Sequence, residues 1–251
     1  MKKNLKKTAP SKNHPVKTNQ LAFSKHLQEL RLRFFVWFVF FIIGSVIGYW
    51  LYPALFKLLV APLHKPLYYT SPTGGFNAVF NLSIFFGFVM TIPILLYQIA
   101  KFVEPSFGNK SIKSLANYIM VSIILACLGL VLAYYLVLPA ALQFLNKFGG
   151  DNLTAIISTQ DYFSFVTKYL MSFALLFQLP LLMYGIDKYK PLEPKKLMHA
   201  FKYVFLFSFI IAAILTPTPD FINQTIMASP IILLYLFSVM MIWLGHSIDN
   251  A

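Results

Sequence analysis

The chain has 251 residues, of which 58% are hydrophobic and only 12% charged, with a mean hydropathy of +0.68. A water-soluble domain carries about 25% charged residues, so half that share excludes an ordinary soluble globule and makes lipid the fitting solvent. The formal net charge of +13 leaves nucleic acid or an anionic membrane surface as candidate partners, and the placement of the charges decides between them.

Residues 1–20 (MKKNLKKTAPSKNHPVKTNQ) contain six lysines and two prolines and read as a disordered basic tail, taken here to extend to residue 23. Residues 24–33 (SKHLQELRLR) form a short amphipathic helix. Ser24 caps its start, Leu27, Leu30 and Phe34 share one face, and Glu29 stands four residues before Arg33 in the favourable order. Span one covers about 34–56 and ends in an interfacial belt of Tyr49, Trp50 and Tyr52. Its apolar run is too long for the hydrophobic region of a cleavable signal and reads as a span that stays in the membrane.

A connecting region, about 57–77, carries prolines and Gly74-Gly75, which break helices, among apolar residues. It is expected to lie along the outer membrane surface. Span two covers about 78–99, and a loop with Pro105 and Gly108 follows. Span three covers about 116–138 and contains the single cysteine, Cys127, expected as a small buried hydrophobe. One thiol excludes an internal disulfide and a thiolate metal site. Residues 139–160 cap the outer face. Span four covers about 162–186, with a kink expected at Pro180. Residues 187–202 form a lysine-rich inner loop.

Span five runs from about Tyr203 to Thr216. The 14 residues between Lys202 and Pro217 reach only about 21 Å as a helix, against a hydrocarbon core of about 30 Å. Pro217, Pro219 and Asp220 make a tight turn, and span six runs from about Gln224 to Leu244. Residues 246–251 are a short tail. The expected fold is all-α: one polytopic membrane domain over 24–245 with six transmembrane helices, spans five and six being short.

The basic residues orient it. With the N-terminus inside, inner segments hold Lys2, Lys3, Lys6, Lys7, Lys12, Lys17, Lys25, Arg31 and Arg33, then Lys101, Lys110 and Lys113, then Lys188, Lys190, Lys195, Lys196 and Lys202. Only Lys57, Lys65 and Lys147 fall outside, and Lys168 lies within span four. This asymmetry is a positive-inside signal and places both termini in the cytoplasm. It also explains the charge without nucleic acid.

Enzyme constellations are missing from the sequence. There is no HExxH, no GxSxG and no phosphate loop with lysine, and no carboxylates are paired within a span. The chain therefore reads as a non-enzyme that works without cofactor or metal. Polar residues at membrane depth carry the functional interest. Gln178, in FALLFQLPLL, has two readings: a tie between helices of the bundle, or a dock for a polar group of a partner helix. Lys168 lies nearer the outer end of the same span and can snorkel outward.

Six short motifs, in order, give the chain a family resemblance. They are His26–Arg33 (HLQELRLR), Ala61-Pro62-Leu63, Ser71-Pro72-Thr73, Pro93–Pro105 (PILLYQIAKFVEP), Phe177–Pro180 (FQLP), and Thr216–Gln224 (TPTPDFINQ) with Pro230 beyond it. Together they resemble the signatures of TatC, the signal-peptide receptor of the twin-arginine translocase. The resemblance covers residue 26 to about 245.

That resemblance implies a receptor that binds twin-arginine signal peptides of folded cargo and works with TatA/TatB-type single-span partners, driven by the proton motive force. It also implies a homo-oligomer within the receptor complex, in a bacterial cytoplasmic membrane or an organellar membrane of bacterial descent. Glu29, His26, Arg31, Phe102 and Glu104 are the implied signal-peptide residues. Paired guanidiniums call for carboxylates, which they grip bidentately. Gln178, Thr216 and Gln224 map to partner-helix docking. Pro62, Pro93, Pro105, Pro180 and Asp220 map to structural positions.

Four positions depart from the family pattern. Ser111 stands where the family has a second glutamate in the first inner loop, and Glu104 is the acid that can substitute. Gln178 replaces a glutamate, Gly74-Gly75 replaces an acidic residue after SPT, and Thr218 is an extra residue in the turn before span six. The competing functional readings are a small secondary transporter or channel, for which no inverted repeat is visible, and an insertase or scaffold.

Overall fold

The computed structural model describes residues 16–69, 71–103, 115–147, 156–215 and 221–249. Among them, six helical stretches are long and apolar enough to cross a bilayer: Leu27–Leu63, Gly74–Phe102, Asn117–Phe144, Thr159–Lys188, Pro194–Leu215 and Gln224–Ser247. Six crossings return the chain to the side from which it started. The last two, at 22 and 24 residues, are the shortest.

Helix α1 (Val16–Val60) is a single element. The expected boundary between an amphipathic helix and span one does not exist, and residues 16–23, read as tail, are helical. Ser24 lies inside the helix, not at its start. No glycine or proline interrupts residues 16–43, so nothing in the backbone forces a break there. Pro53 lies inside the helix near its outer end.

A 3-10 turn, Ala61–Leu63, follows and is closed by His64 in the left-handed conformation, φ 53°. The chain then makes a two-residue strand, β1 (Leu67–Tyr68). Gly74-Gly75 opens helix α2 (Gly74–Val103) and does not break it. Its first turn is fixed by Gly74 N–H and Asn77 N–H donating to the carbonyls of Ser71 (3.0 Å) and Thr73 (2.9 Å).

Span three begins as α3 (Leu115–Leu132), widens to a π-turn over Ala133–Val137, and continues as α4 (Leu138–Lys147). Leu138 N–H donates to Ala133 O, the i→i+5 bond of a π-bulge. Pro139 directly follows and has no N–H of its own to offer. Cys127 is exposed on the outer surface of α3, which corrects its expected burial. The segment after α4 returns through β2 (Ile157–Ser158), which pairs in parallel with β1, Leu67 opposite Ile157.

Span four is broken as Pro180 predicts. Helix α5 (Thr159–Leu176) ends in a turn at Phe177 and Gln178, and α6 (Leu179–Tyr189) restarts with Pro180 in its first turn, where a proline is tolerated. Helix α7 (Pro194–Leu215) absorbs much of the expected inner loop, so Lys195, Lys196 and Lys202 ride on it. With 22 residues the helix reaches about 33 Å, and only its uncharged stretch is short. Helix α8 (Phe221–Asp249) carries Pro230 and extends through most of the expected tail.

Two glycines on α1, Gly44 and Gly48, form a small-xxx-small face against α2. A Cβ on Gly48 would meet Ser83 O and Phe86 Cβ at 2.9 Å each, so only glycine permits this approach of the two backbones. The main core lies in the outer half and joins Leu59, Leu63, Leu82, Phe163, Val166 and Phe173. A smaller one in the inner half joins Ile92, Leu96, Ala174 and Leu181. Large apolar side chains such as Trp50 and Ile214 face outward, as a lipid-bathed surface requires.

Candidate functional site

Glu29 stands on α1 at the inner membrane surface, where an acidic group is rare in this basic chain. Arg33, one turn further on, donates from Nε to Glu29 Oε1 at 3.1 Å, and its Nη2 forms a second, shorter contact to the same oxygen. The Glu29 side chain remains 34% exposed. The pair is local to one helix, and a pair of this kind is worth about 0.3–0.5 kcal/mol. A better guanidinium donor can therefore displace Arg33.

Arg31 is exposed on the neighbouring face. On the expected apolar face of this segment Leu27, Leu30 and Phe34 are all exposed among the described residues, and Phe34 meets the rings of Trp37 and Phe38 of its own helix. Phe102 is half-buried at the inner end of α2. Lys101, one residue before it, holds its ammonium 5.4 Å from the centre of the Tyr97 ring. His26 lies in α1, and its side chain is outside the described residues. Glu104, Pro105, Ser111, Thr216 and Asp220 also lie outside them. The structure thus places Glu29, Arg31 and Phe102 at one membrane face on two adjacent helices.

Gln178 is buried, with 1% of its surface exposed, in the turn between α5 and α6. Its Nε2 donates to Ser122 O (3.3 Å) on α3 and to Ala174 O (3.1 Å), and its Oε1 accepts from Ser122 Oγ (3.0 Å). Both amide hydrogens are spent inside the fold. Of the two sequence readings, this geometry supplies the helix tie. The kink explains the arrangement: in the turn Gln178 N–H donates to Leu175 O (2.9 Å), which leaves Ala174 O free to accept from the glutamine side chain.

Gln224 is also a tie. Its Nε2 donates to Phe209 O (2.8 Å) and binds α8 to α7. Pro93 is buried within α2, and Thr91 just before it donates its hydroxyl to Gly87 O (2.8 Å). Pro62 sits in the 3-10 turn, half-buried. Lys168 is exposed on α5.

Sequence reasoning missed a second polar cluster at the inner end. His246 Nε2 on α8 lies 3.0 and 3.2 Å from the two carboxylate oxygens of Asp187 on α6. Asp187 Oδ1 also accepts from Leu192 N–H (2.7 Å), closing the α6–α7 connection. The 59 residues between the partners leave no local spacing by which to find the pair. Ser122 was legible as a hydroxyl in an otherwise apolar span, but its partner was not. No group of three or more His, Cys, Asp or Glu that could hold a metal occurs among the described residues.

Comparison with known proteins bears on this geometry directly. The family model described as Sec-independent protein translocase protein (TatC) matches residues 25–230. The chain is 33% identical over 226 residues to the Sec-independent protein translocase protein TatC of Aquifex aeolicus, covering 87% of this chain and 93% of that one. It is 34% identical over 218 residues to the corresponding protein of Carboxydothermus hydrogenoformans, covering 86% and 90%. The fold is similar to a crystal structure of the twin-arginine translocase receptor TatC, with a TM-score of 0.77 at 33% identity over 86% of this chain and 98% of that one.

Proposed function

This chain belongs to the TatC family of Sec-independent protein translocase proteins, as a non-enzymatic, multi-pass membrane subunit, and we propose that it sits in a bacterial cytoplasmic membrane or an organellar membrane of bacterial descent and reads twin-arginine signal peptides of folded cargo through Glu29. The reading as a small secondary transporter or channel is displaced by the family membership.

One observation carries the proposal. A carboxylate sits at the inner face on a continuous helix, partly exposed and, among the described residues, paired with a single guanidinium from its own helix. A cargo arginine replaces Arg33 with the same planar, charge-assisted geometry. The energy of the exchange is the difference between an intermolecular bond and a weak local pair. Glu104, beside Phe102 in sequence, supplies the second carboxylate in place of the family glutamate missing at Ser111. TatA/TatB-type single-span proteins and further copies of this chain are the partners, and the proton motive force drives passage. Thr216 and Gln224, at the α7–α8 end, are the residues proposed to face the single-span partners. Gln178 holds that scaffold in register from within.

The test is binding of a twin-arginine peptide and its twin-lysine counterpart to the full-length protein in nanodiscs. Glu29→Gln is expected to weaken the twin-arginine peptide by about tenfold or more, the size of one charge-assisted hydrogen bond (about 1.5–3 kcal/mol), and to change the twin-lysine control little. Glu104→Gln is expected to act in the same direction. Unchanged binding in Glu29→Gln refutes the assignment.

A further inference from the structure

The two halves of span four pack differently against span three. In the outer half they touch closely: a Cβ on Gly129 of α3 would stand 2.8 Å from Phe173 O of α5. Below the Gln178 turn, Pro180 starts α6 on a new course and the helices part. A cavity of about 540 Å³ opens between α3, α6 and α8 in the inner-leaflet half, within the usual range of ligand sites, about 300–1,000 Å³.

Its wall is apolar at depth, formed by Val121, Leu125, Leu181, Phe237 and Met241. Its polar groups, Asn117, Tyr184 and Lys188, gather toward the inner membrane surface. From Pro180 to Lys188 the cavity follows α6 for about 12 Å. The Tyr118 hydroxyl crosses the gap to donate to Leu181 O at 3.3 Å and passes 3.0 Å from where a Cβ on Gly185 would stand, so Gly185 keeps the strut in place. Among the described residues no carboxylate lines the cavity and none partners Lys188.

We propose that this cavity is a site for an anionic phospholipid of the inner leaflet, with one acyl chain against the α3–α6 wall and Lys188 on the headgroup phosphate. Two features select that occupant. The polarity gradient runs the way a lipid lies, apolar toward the bilayer centre and cationic at the surface. The charge is complementary, since the cytoplasmic leaflet is anionic and basic pockets between helices on that side hold its headgroups.

Such a lipid would fill the gap left by the kink and brace α6 against α3. The proposal does not depend on the receptor reading, and loss of the lipid site leaves the peptide test on Glu29 standing.

The experiment is native mass spectrometry of the full-length protein in mild detergent, titrated with phosphatidylglycerol or phosphatidylcholine of matched chains. Wild type is expected to prefer phosphatidylglycerol. Lys188→Ala should lower that preference about fivefold, the equivalent of about 1 kcal/mol for one lysine near a membrane surface. Leu125→Trp, which fills the cavity, should weaken both lipids. The control Lys196→Ala should change neither, because Lys196 is exposed and paired with Glu193 on the same membrane side. Equal binding of the two lipids by wild type overturns the proposal. Equal losses in Lys188→Ala and Lys196→Ala overturn it too, because they reveal only diffuse surface charge. A photo-crosslinker at Tyr184 should capture lipid, and capture of a polypeptide in its place counts against the site.

Discussion

The outer and inner ends of the bundle are tied by different chemistry. At the outer end, bonds join residues far apart in sequence. Tyr134 and Tyr162 donate their hydroxyls to Leu58 O (2.7 Å) and Leu59 O (2.6 Å), carbonyls in the last turn of α1. Thr159 donates to Tyr68 O (3.0 Å), and Asn77 and Asn81 on α2 donate to Gln160 and Ser164. At the inner end the charged pairs Glu29–Arg33 and Glu193–Lys196 each lie within four residues. Among the described residues, the bonds that cross between elements there are Asp187–His246, Leu192 N–H to Asp187, Tyr118 to Leu181 and Tyr235 to Leu197. A helix end in lipid must satisfy its orphan carbonyls from within the protein, and the outer end does so at fixed geometry. At the inner end two of the three charged pairs span only a few residues, and Asp187–His246 is the one of them that joins two helices.

Substitutions at matched positions test that difference. The largest effect is expected at Gly48→Val, which forces a side chain onto Ser83 O and Phe86 and should cost about 3 kcal/mol. Gly245→Val, near the inner end of α8 with nothing within 4 Å, should leave thermal stability in detergent unchanged. Equal melting shifts for the two would erase the distinction. Next, Tyr162→Phe strands the buried Leu59 carbonyl and should cost about 2 kcal/mol, against about 0.5 kcal/mol for Tyr118→Phe at the inner end.

Gln178 lies between the two ends, and its replacement sharpens the comparison. Gln178→Leu removes two hydrogen bonds that join α3 to the kink and a third to Ala174 O within span four, and should cost about 1 kcal/mol, typical of polar ties in membranes. Peptide affinity at Glu29 should hold. A stable variant that nonetheless loses recruitment of a single-span partner would show that the residue docks outward after all.

Much of this fold was legible in the sequence because lipid imposes few solutions. Apolar runs located all six spans, and lysine placement oriented them. The kink beside Pro180 followed from a missing N–H. Element ends were harder. The break expected near residue 33 rested on a change from polar to apolar residues, which alters a helix's solvent but not its backbone. Gly74-Gly75 was read as a breaker, yet the Ser71 and Thr73 carbonyls supply the first bonds of α2. Candidate site residues were legible as types: Gln178 stood out as an amide in an apolar run. Ser122, which decides its role, lies 56 residues away, and the Asp187–His246 pair has the same non-local origin. The glycines at 44 and 48 carried a readable spacing, but their partner face on α2 needed the structure.

The smallest predicted effect concerns Arg33 and bears most directly on recognition. If Glu29 must release Arg33 before it accepts a cargo arginine, the local pair is a tax on binding. Arg33→Gln should then tighten a twin-arginine peptide by about twofold, since the pair is worth about 0.3–0.5 kcal/mol, and should change stability by less than that. High salt screens the partly exposed pair, so the gain should shrink as ionic strength rises. A loss of affinity as deep as that of Glu29→Gln would mean that Arg33 positions the carboxylate and does not compete for it. The inner end would then be as preorganised as the outer one, and the contrast drawn between them would fail at its most functional residue.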